Sequence, residues 1–535
     1  MRLLKTGKSI GLAAAVAMTI GLTSMAQQVQ ADTLTIGVRG GPESMDPHFS
    51  ALGPHAEAAK HIYDTLVWSN ENLQLEPSLA ESWKPLDETT WEFKLRQGVK
   101  FHDGSDFTAE DVKFSIERIP AVTGPTTMTI YVRRVAEVVI VDPHTVHIKT
   151  DGPAATLPYD FVRLFIVSAK AAGDYSTKET AAEGFNSGKA AIGTGPYRFV
   201  SWEPKGDLVL ERFDDYWRGK GAWERVVRKE MPNDSSRLAA LKAGQVDVIN
   251  YVSAADWLAL QRDPKIETFQ GDSVYVMNLQ LDQRESTPKV YDLNDDVMAR
   301  NPLRDARVRE AFDLAIDRDT MVEVVLEGLG RPAGQVMPEG FFGYSDKVPA
   351  REYDPARAKQ LLADAGYPDG FKIDLYCTSD RLPGDGAICQ GLGQMFSRVG
   401  IRTNVNAISR TVYFPAQARK EYSVFMNGWG TLTGEASYTL GSLAHSDNPD
   451  VKLGAFNRIE YHNPEVDKAL QAGVKTLDDA KRRAHFEKAM EITMADRAYI
   501  PIVVLQTVWA ATKGKIALDP RTDEDTLAFF IKPAN

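Results

Sequence analysis

Three histidines near the start of the chain, His48, His55 and His61, are the first residues whose chemistry stands out. Imidazole binds metal ions and transfers protons near neutral pH. The spacing of these histidines, however, matches no known pattern of metal ligands. We therefore expect them to be surface or second-shell side chains, and we expect no metal site and no cofactor.

Catalytic motifs are missing from the sequence. It contains no H-E-x-x-H, no G-x-S-x-G, no P-loop and no S-x-x-K with its partner motifs. Gly193 and Gly195 form a G-x-G, but Pro196 follows and the dinucleotide-binding pattern does not continue. Carboxylates are spread along the chain, and no pair stands out as a catalytic dyad. These observations favour a binding protein over an enzyme.

Residues 1–31 predict a cleaved signal peptide. An uncharged apolar stretch, residues 10–22, is followed by small residues that end at Ala31, so that Asp32 becomes the new N-terminus; a second possible cut follows Ala26. The stretch is preceded by three basic residues, Arg2, Lys5 and Lys8. The alternative is a membrane anchor, but a spanning helix needs about 20 apolar residues. Because no cysteine lies near the cut, a lipid anchor on Cys is excluded. We expect a soluble protein of a Gram-negative periplasm.

The charge balance is acidic. The chain of 535 residues carries 62 Lys and Arg against 73 Asp and Glu, a net charge of −11. Binding to nucleic acid or to an anionic membrane is therefore not expected to be its main task.

Two cysteines, Cys377 and Cys389, are separated by a short segment rich in turn residues. In an oxidising compartment they predict a disulfide bond, which would contribute about 3 kcal/mol if unstrained. The alternative is two unpaired thiols, one on a strand and one on a helix. No Cys or His pair at zinc-ligand spacing lies beside them.

The length of the chain exceeds what one core supports, because cores stop growing at about 250–300 residues. Strands alternate with helices along it, which indicates α/β layers. Strands are predicted at residues 34–38, 246–249, 274–281 and 500–508, and helices at residues 235–243 and 304–316 and after Asp354 and Asn463.

Residues 81–119 form the most distinctive stretch. Trp91, Phe93 and Leu95 alternate with charged residues, which is the period of a half-buried strand. A turn at Asp103-Gly104 follows, and Thr108 lies three residues before Asp111, close to a capping box. The stretch therefore predicts two strands and a capped helix joined by tight turns.

The identities in this stretch, F-x-L-R-x-G-V-K-F-H-D-G and F-T-A-E-D-V, resemble the extracytoplasmic solute-binding proteins of family 5, the peptide and nickel receptors of ATP-driven importers. The resemblance covers nearly the whole mature chain in the family's order. Further matching segments are at residues 41–47, 193–217, 238–249, 305–319 and 353–371.

The resemblance implies an α/β, two-lobed fold of the periplasmic binding protein kind (class II). Lobe I would be residues 32–277 plus 503–535, with residues 66–190 as an inserted subdomain. Lobe II would be residues 278–502. Segments near Met277 and Pro501 would form the hinge, and a ligand would be buried between the lobes.

The resemblance also implies residues for a zwitterionic ligand, whose buried charges each need a partner. In the dipeptide-binding branch, a loop arginine holds the carboxylate and an aspartate shortly after a Gly-Trp pair holds the amine. Here Arg381 lies in the matching loop and Gly428-Trp429 matches the pair. The next acid is Glu435, in a T-G-E-A run closer to the glutathione-binding branch. Glu435 is therefore the candidate for the ammonium contact.

Weaker candidates lie on the crossing strand and after the first strand. Tyr275, Met277 and Asn278 could contact the ligand, although alternate residues of a strand face opposite ways. Ser44 and Met45 are further candidates. Each assignment has an alternative: Arg381 as a solvated loop residue or paired with a neighbouring aspartate, Glu435 as a helix cap, and Trp429 as a core aromatic.

We therefore expect a monomeric periplasmic receptor for a short peptide or peptide-like solute, with an ABC permease and its ATPase subunits as partners. One rival is a receptor for a nickel chelate or other non-peptide solute. Two others are a periplasmic hydrolase and a chaperone-like protein.

Overall fold

The computed structural model describes residues 33–124 and 127–534. The predicted signal peptide lies outside the described residues. Strands are β1 Thr33–Val38, β2 Val67–Ser69, β3 Leu75–Pro77, β4 Ala80–Pro85, β5 Thr90–Leu95, β6 Val135–Asp142, β7 Thr145–Thr150, β8 Tyr197–Trp202, β9 Asp207–Arg212, β10 Arg225–Glu230, β11 Val248–Ile249, β12 Ile266–Leu281, β13 Val290–Tyr291, β14 Gly330–Pro332, β15 Phe371–Thr378, β16 Ile401–Ile408, β17 Val424–Gly430, β18 Tyr499–Thr512, β19 Ile516–Ala517 and β20 Lys532–Pro533.

The α-helices are α1 Gly53–Ala59, α2 Ala109–Val122, α3 Leu157–Asp160, α4 Ala169–Ala172, α5 Lys178–Asn186, α6 Asp234–Lys242, α7 Ala254–Leu260, α8 Ala306–Leu314, α9 Arg318–Thr320, α10 Pro355–Asp364, α11 Asp385–Arg398, α12 Arg410–Ala418, α13 Ala436–Leu443, α14 Pro464–Gly473 and α15 Asp479–Asp496. Short 3-10 turns lie at Met128–Tyr131, Phe161–Arg163, Gly173–Tyr175 and Pro302–Arg304, and a π-helical turn lies at Met321–Val325. None of these helices is long and apolar enough to cross a membrane.

One mixed sheet runs through the molecule in the order β13-β15-β17-β12-β18-β11-β1-β10-β9-β8, with β16 beside β15 and β14 beside β18. The long strands β12 and β18 are antiparallel at its centre and continue from one side of the molecule to the other. Their register shifts between Asp272 and Val276 and again between Met277 and Asn278, and Asn278 lies opposite Pro501. Such irregularities bend a strand and increase its twist.

Separate apolar cores form on the two sides of these crossing strands. The core of lobe I joins buried residues between Leu34 and Val248 with those between Trp509 and Ile531. A core of lobe II joins buried residues between Met277 and Leu505. The predicted α/β, two-lobed architecture is confirmed.

The stretch 81–119 has the predicted local structure. Trp91, Phe93 and Leu95 are buried in β5, the second strand of a four-stranded antiparallel sheet in the order β4-β5-β7-β6. Thr108 precedes α2, and its backbone N–H donates to Oδ2 of Asp111 at 2.9 Å, which forms the predicted capping box.

The predicted helix boundaries near Gly244 and Asp354 are also confirmed. Helix α6 ends at Lys242, and Gly244 adopts a φ of +70°, which glycine tolerates best. Asp354 accepts a hydrogen bond from the backbone N–H of Arg357 and caps α10.

The expectation that His48, His55 and His61 are surface residues is wrong. All three are buried, and a ring nitrogen of each lies within 3.0 Å of a backbone carbonyl oxygen. Burial lowers the pKa of His48 to about 4. These histidines are structural residues of lobe I that hold neighbouring segments together.

Candidate ligand-binding cavity

A cavity of about 160 Å³ lies where the two lobes meet. One wall comes from residues 130–160 of lobe I and the other from residues 429–474 of lobe II. The lining residues are Ile130, Tyr131, Arg133, Arg134, Thr156, Tyr159, Asp160, Trp429, Thr433, Ser437, Tyr438, Gly441, Ser442, Lys452, Leu453, Ala455, Phe456 and Val474.

Direct contacts hold the lobes together at the rim of this cavity. Nζ of Lys452 lies 2.5 Å from Oδ2 of Asp151, and Nη2 of Arg134 donates to the carbonyl oxygen of Val451 at 3.2 Å. The backbone N–H of Ala155 donates to the carbonyl oxygen of Val474 at 3.1 Å. The segment around Lys452 therefore both closes the cavity and joins lobe II to lobe I.

Aromatic side chains form much of the lining. The ring of Trp429 lies 5.7 Å from that of Tyr438 and 5.3 Å from that of Phe456. Nε1 of Trp429 and Oγ1 of Thr433 are buried and have no hydrogen-bond partner among the described residues. A buried polar atom without a partner costs about 1–3 kcal/mol, so both atoms are suited to contact a polar ligand.

Asp160 is the one carboxylate among the described residues that line the cavity. It ends helix α3, and its side chain accepts no hydrogen bond and forms no ion pair within residues 33–124 and 127–534. Burial raises the pKa of its carboxyl to about 7; Arg133 and Arg134 lower it, and Glu435 across the lobe boundary raises it. A cation or a proton at this carboxylate would offset the cost of its partial burial.

Glu435 lies at the start of helix α13 and is fully buried. Its Oε1 accepts a hydrogen bond from Nε of Arg482 at 2.9 Å, and its Oε2 accepts one from Oγ of Ser437 at 2.8 Å. Its side chain does not cap the helix. Burial raises the pKa of Glu435 to about 7, although Arg482 lowers it. Glu435 is close to the cavity but not in its lining.

Arg381 lies in the loop between β15 and α11, which the disulfide bond of Cys377 and Cys389 closes at its base. Its Nη1 donates to Oδ1 of Asn427 at 2.8 Å and to the carbonyl oxygen of Gly428 at 2.7 Å. A Cβ at position 428 would lie 2.2 Å from Cδ1 of Leu382, so a larger residue there would displace the Leu382 side chain beside Arg381. The guanidinium of Arg381 thus has neutral acceptors and keeps its charge free for an anion.

A second arginine from lobe I lies near the same cavity wall. Arg163 follows Asp160 by one turn, is buried, and its Nη1 has no hydrogen-bond partner among the described residues. Arg163 and Arg381 both lower the pKa of Tyr438, a lining residue, although burial raises it overall. These two arginines, one from each lobe, therefore lie near one wall, in addition to Arg133, Arg134 and Lys452 in the lining.

The crossing strand contributes to the same region through Tyr275. The guanidinium carbon of Arg381 is 5.8 Å from the centre of the Tyr275 ring. Met277 and Asn278, by contrast, are buried within the sheet, where Nδ2 of Asn278 donates to the carbonyl oxygen of Val276.

Ser44 and Met45 are buried in lobe I. Oγ of Ser44 and the backbone N–H of Met45 both donate to Oδ1 of Asn186. Of all the residues singled out from the sequence, Trp429 is in the cavity lining, and Arg381, Glu435 and Tyr275 lie around it.

Several lining residues could not be found from the sequence. Tyr131, Tyr159 and Asp160 come from lobe I segments without a recognisable motif, and Tyr438 and Phe456 come from lobe II. Only the contact between the lobes brings them together, and local sequence patterns carry no signal for such a contact.

The fold and the cavity between its lobes define a protein of the two-lobed binding class. The family description "Bacterial extracellular solute-binding proteins, family 5 Middle" matches residues 74–450. The chain belongs to this family, whose members bind solutes for transport and are not enzymes.

Curated relatives include the glutathione-binding protein GsiB of Salmonella paratyphi A, which is 26% identical over 514 residues, 95% of this chain and 94% of that protein. GsiB of Escherichia coli O1:K1 / APEC is 27% identical over 491 residues, 90% of this chain and 91% of that protein.

Among solved structures, the periplasmic binding protein DppA of Helicobacter pylori in complex with the peptide STSA matches with a TM-score of 0.73 and 24% identity, covering 95% of this chain and 100% of that one. NikZ of Campylobacter jejuni in complex with Ni(L-His) matches with a TM-score of 0.75 and 21% identity, covering 94% and 99%. These likenesses establish the fold.

Proposed function

We propose that the protein is the periplasmic receptor of an ABC importer and that it binds a short peptide or peptide-like zwitterion between its lobes. The observation that carries this proposal is the composition of the cavity. Its walls are aromatic, and its lining contains one carboxylate, Asp160, together with the cations Arg133, Arg134 and Lys452. A zwitterion would satisfy both kinds of charge at once.

The mechanism follows from the two crossing strands. Lobe I (residues 32–277 and 503–535, with 66–190 as a subdomain) and lobe II (residues 278–502) rotate about the irregular register at 272–278 and the facing part of β18. Ligand enters between the separated lobes. Closure then buries it, and the contacts of Lys452 and Arg134 complete the closed form.

The carboxylate end of the ligand would bind Arg381, because a guanidinium binds a carboxylate through two parallel hydrogen bonds and stays charged when buried. Trp429 and Thr433 would donate to carbonyl oxygens of the ligand. The closed receptor would then deliver its ligand to a permease driven by ATPase subunits, and it would act as a monomer.

The similarity to GsiB makes glutathione the first probe, and the similarity to DppA makes unmodified di-, tri- and tetrapeptides the next. Each probe is added to purified protein, and its effect on the melting temperature and its dissociation constant are measured. A ligand at about 100 times its dissociation constant stabilises the folded state by about 2.7 kcal/mol. We expect at least one peptide to raise the melting temperature and to be recovered unmodified by mass spectrometry.

Two results would contradict this function. Recovery of a cleaved peptide would identify a hydrolase. A response to Ni(L-His) together with no response to any peptide would identify a receptor for a metal chelate. Ni(L-His) is the probe because it is the ligand in the NikZ complex.

A further inference from the structure

We propose that Asp160 of lobe I, and not Glu435 of lobe II, holds the ammonium group of the ligand. This inference rests on the proposed function and deepens it, since it requires the ligand to carry a free cationic amine. It places the contact with the ligand's amine in lobe I, whereas the sequence predicted it in lobe II, in the segment after Gly428-Trp429.

Glu435 is unsuited to this contact because its carboxylate is already occupied. One oxygen accepts from Arg482 and the other from Ser437, both at hydrogen-bond distance. Nε of Arg482 is directed at Glu435, and Nη1 of the same guanidinium pairs with Asp479 at 3.0 Å. An ammonium group could reach Glu435 only by displacing a buried ion pair, which is strongly unfavourable.

The carboxylate of Asp160, unlike that of Glu435, is available to a ligand. Its carboxylate lines the cavity and has no partner among the described residues. Arg133 and Arg134, which also line the cavity, form no ion pair with it: Arg134 contacts Asp151 and the carbonyl oxygen of Val451, and Arg133 is exposed. A partly buried carboxylate without a partner is unfavourable, and a ligand ammonium would offset this by a charge-assisted hydrogen bond.

The position of Asp160 also couples binding of the ligand's ammonium group to closure of the two lobes. Closure of the lobes encloses Asp160 in the cavity, whose other wall comes from lobe II. An ammonium group at Asp160 would offset the cost of enclosing the carboxylate, so the closed arrangement of the lobes would be more stable with a cationic ligand than without one. A neutral analogue of the same size would lack this effect.

The test compares free peptides with their N-acetylated forms. Glutathione, Ala-Ala and Ala-Ala-Ala and their three N-acetyl derivatives are titrated into the wild type, Asp160→Asn and Glu435→Gln. Asp174→Asn serves as the matched control, because Asp174 is an exposed aspartate of the same lobe without an ion pair among the described residues. The readout is the ratio of the dissociation constants of the acetylated and the free form of each peptide.

We expect the wild type and Asp174→Asn to prefer the free peptide by at least about tenfold, since the acetylated form loses a hydrogen bond between two charged groups. Asp160→Asn should bring the ratio close to one while it retains its affinity for the acetylated form, which shows that the variant is folded. Glu435→Gln should keep most of the preference.

Three results would overturn the inference. A full preference in Asp160→Asn would show that another group holds the amine, with peptide binding itself intact. Loss of the preference in Glu435→Gln alone would assign the amine to Glu435. If the wild type binds none of the six probes, the proposed peptide function fails, and the role of Asp160 fails with it.

Discussion

The carboxylate of Glu435 and the guanidinium of Arg482 form an ion pair inside lobe II, with Oε1 and Nε 2.9 Å apart and side chains 0% and 4% exposed. Removing one member of such a pair leaves the other charge buried and is expected to cost about 3–5 kcal/mol. Arg482→Met should therefore lower the free energy of unfolding by that amount in urea titrations. Arg483→Met, which changes an exposed neighbour, should cost less than about 1 kcal/mol.

The double variant Glu435→Gln, Arg482→Met tests whether the loss arises from the unpaired charge. It should recover much of the stability lost in Arg482→Met, because neither member is then left charged and buried. Equal stability of Arg482→Met and Arg483→Met would show that the pair contributes little to folding.

Protonation of Asp160 should make the stability of the ligand-free protein depend on pH. The pKa of Asp160 is raised to about 7 in the folded protein, against about 3.9 in an unfolded chain. The folded state therefore holds this proton more tightly. The contribution of this proton to the free energy of unfolding is fully present below about pH 4 and is lost as the pH rises through about 7.

Comparison with Asp160→Asn isolates this contribution, because all other groups, including the buried histidines, are common to both proteins. We expect Asp160→Asn to be the more stable protein at pH 8. Its advantage should shrink by about 1.4 kcal/mol per pH unit as the pH falls from 7 towards 4. Unfolding titrations at pH 5, 6, 7 and 8 measure this difference, and a difference independent of pH would show that Asp160 is ionised throughout.

Arg381 should be the main determinant of affinity for a ligand carboxylate. Truncation of one member of a buried charge pair costs about 2–5 kcal/mol, so Arg381→Ala should weaken peptide binding at least about 30-fold. Arg410→Ala, an exposed arginine whose backbone N–H bonds to Asp380 beside Arg381, is the matched control. The dissociation constants of both variants are measured with the peptide that binds the wild type most tightly. Wild-type affinity in Arg381→Ala would show that Arg381 does not bind the ligand carboxylate.

The sequence was most informative where structure is local. Three predicted features depend only on residues close together in the sequence, and the structure contains all three. They are the strand that contains Trp91, the capping box of Thr108 and Asp111, and the N-cap at Asp354. Cys377 and Cys389 are also joined, as their spacing and the expected compartment suggested. The order of motifs then defined the family and its two-lobed fold.

Contacts between residues far apart in the sequence were much harder to predict. No pattern around Asp160 predicts a ligand contact, because its role depends on which part of lobe II faces it. Glu435 was a reasonable candidate from the spacing after Trp429, but its pairing with Arg482 joins residues 47 positions apart. The buried state of His48 likewise depends on the carbonyl oxygen of Phe165, which the sequence does not place beside it.

The ion pair between Lys452 and Asp151 should slow the release of ligand. It joins lobe II to lobe I at the rim of the cavity, and the two side chains are 35% and 40% exposed. At this exposure a pair contributes at most about 1 kcal/mol, because water and salt screen it. Lys452→Met should therefore release ligand up to about fivefold faster, with little change in the rate of binding.

Stopped-flow fluorescence can follow this release, since Trp429 lies in the cavity wall. The matched control is Lys468→Met, an exposed lysine of helix α14 that forms no ion pair within the described residues. Raising the salt concentration should speed release from the wild type and leave Lys452→Met nearly unaffected. Equal release rates in the wild type and Lys452→Met would instead assign the closed form to the hydrogen bonds of Ala155 with Val474 and of Arg134 with Val451, which the substitution leaves in place.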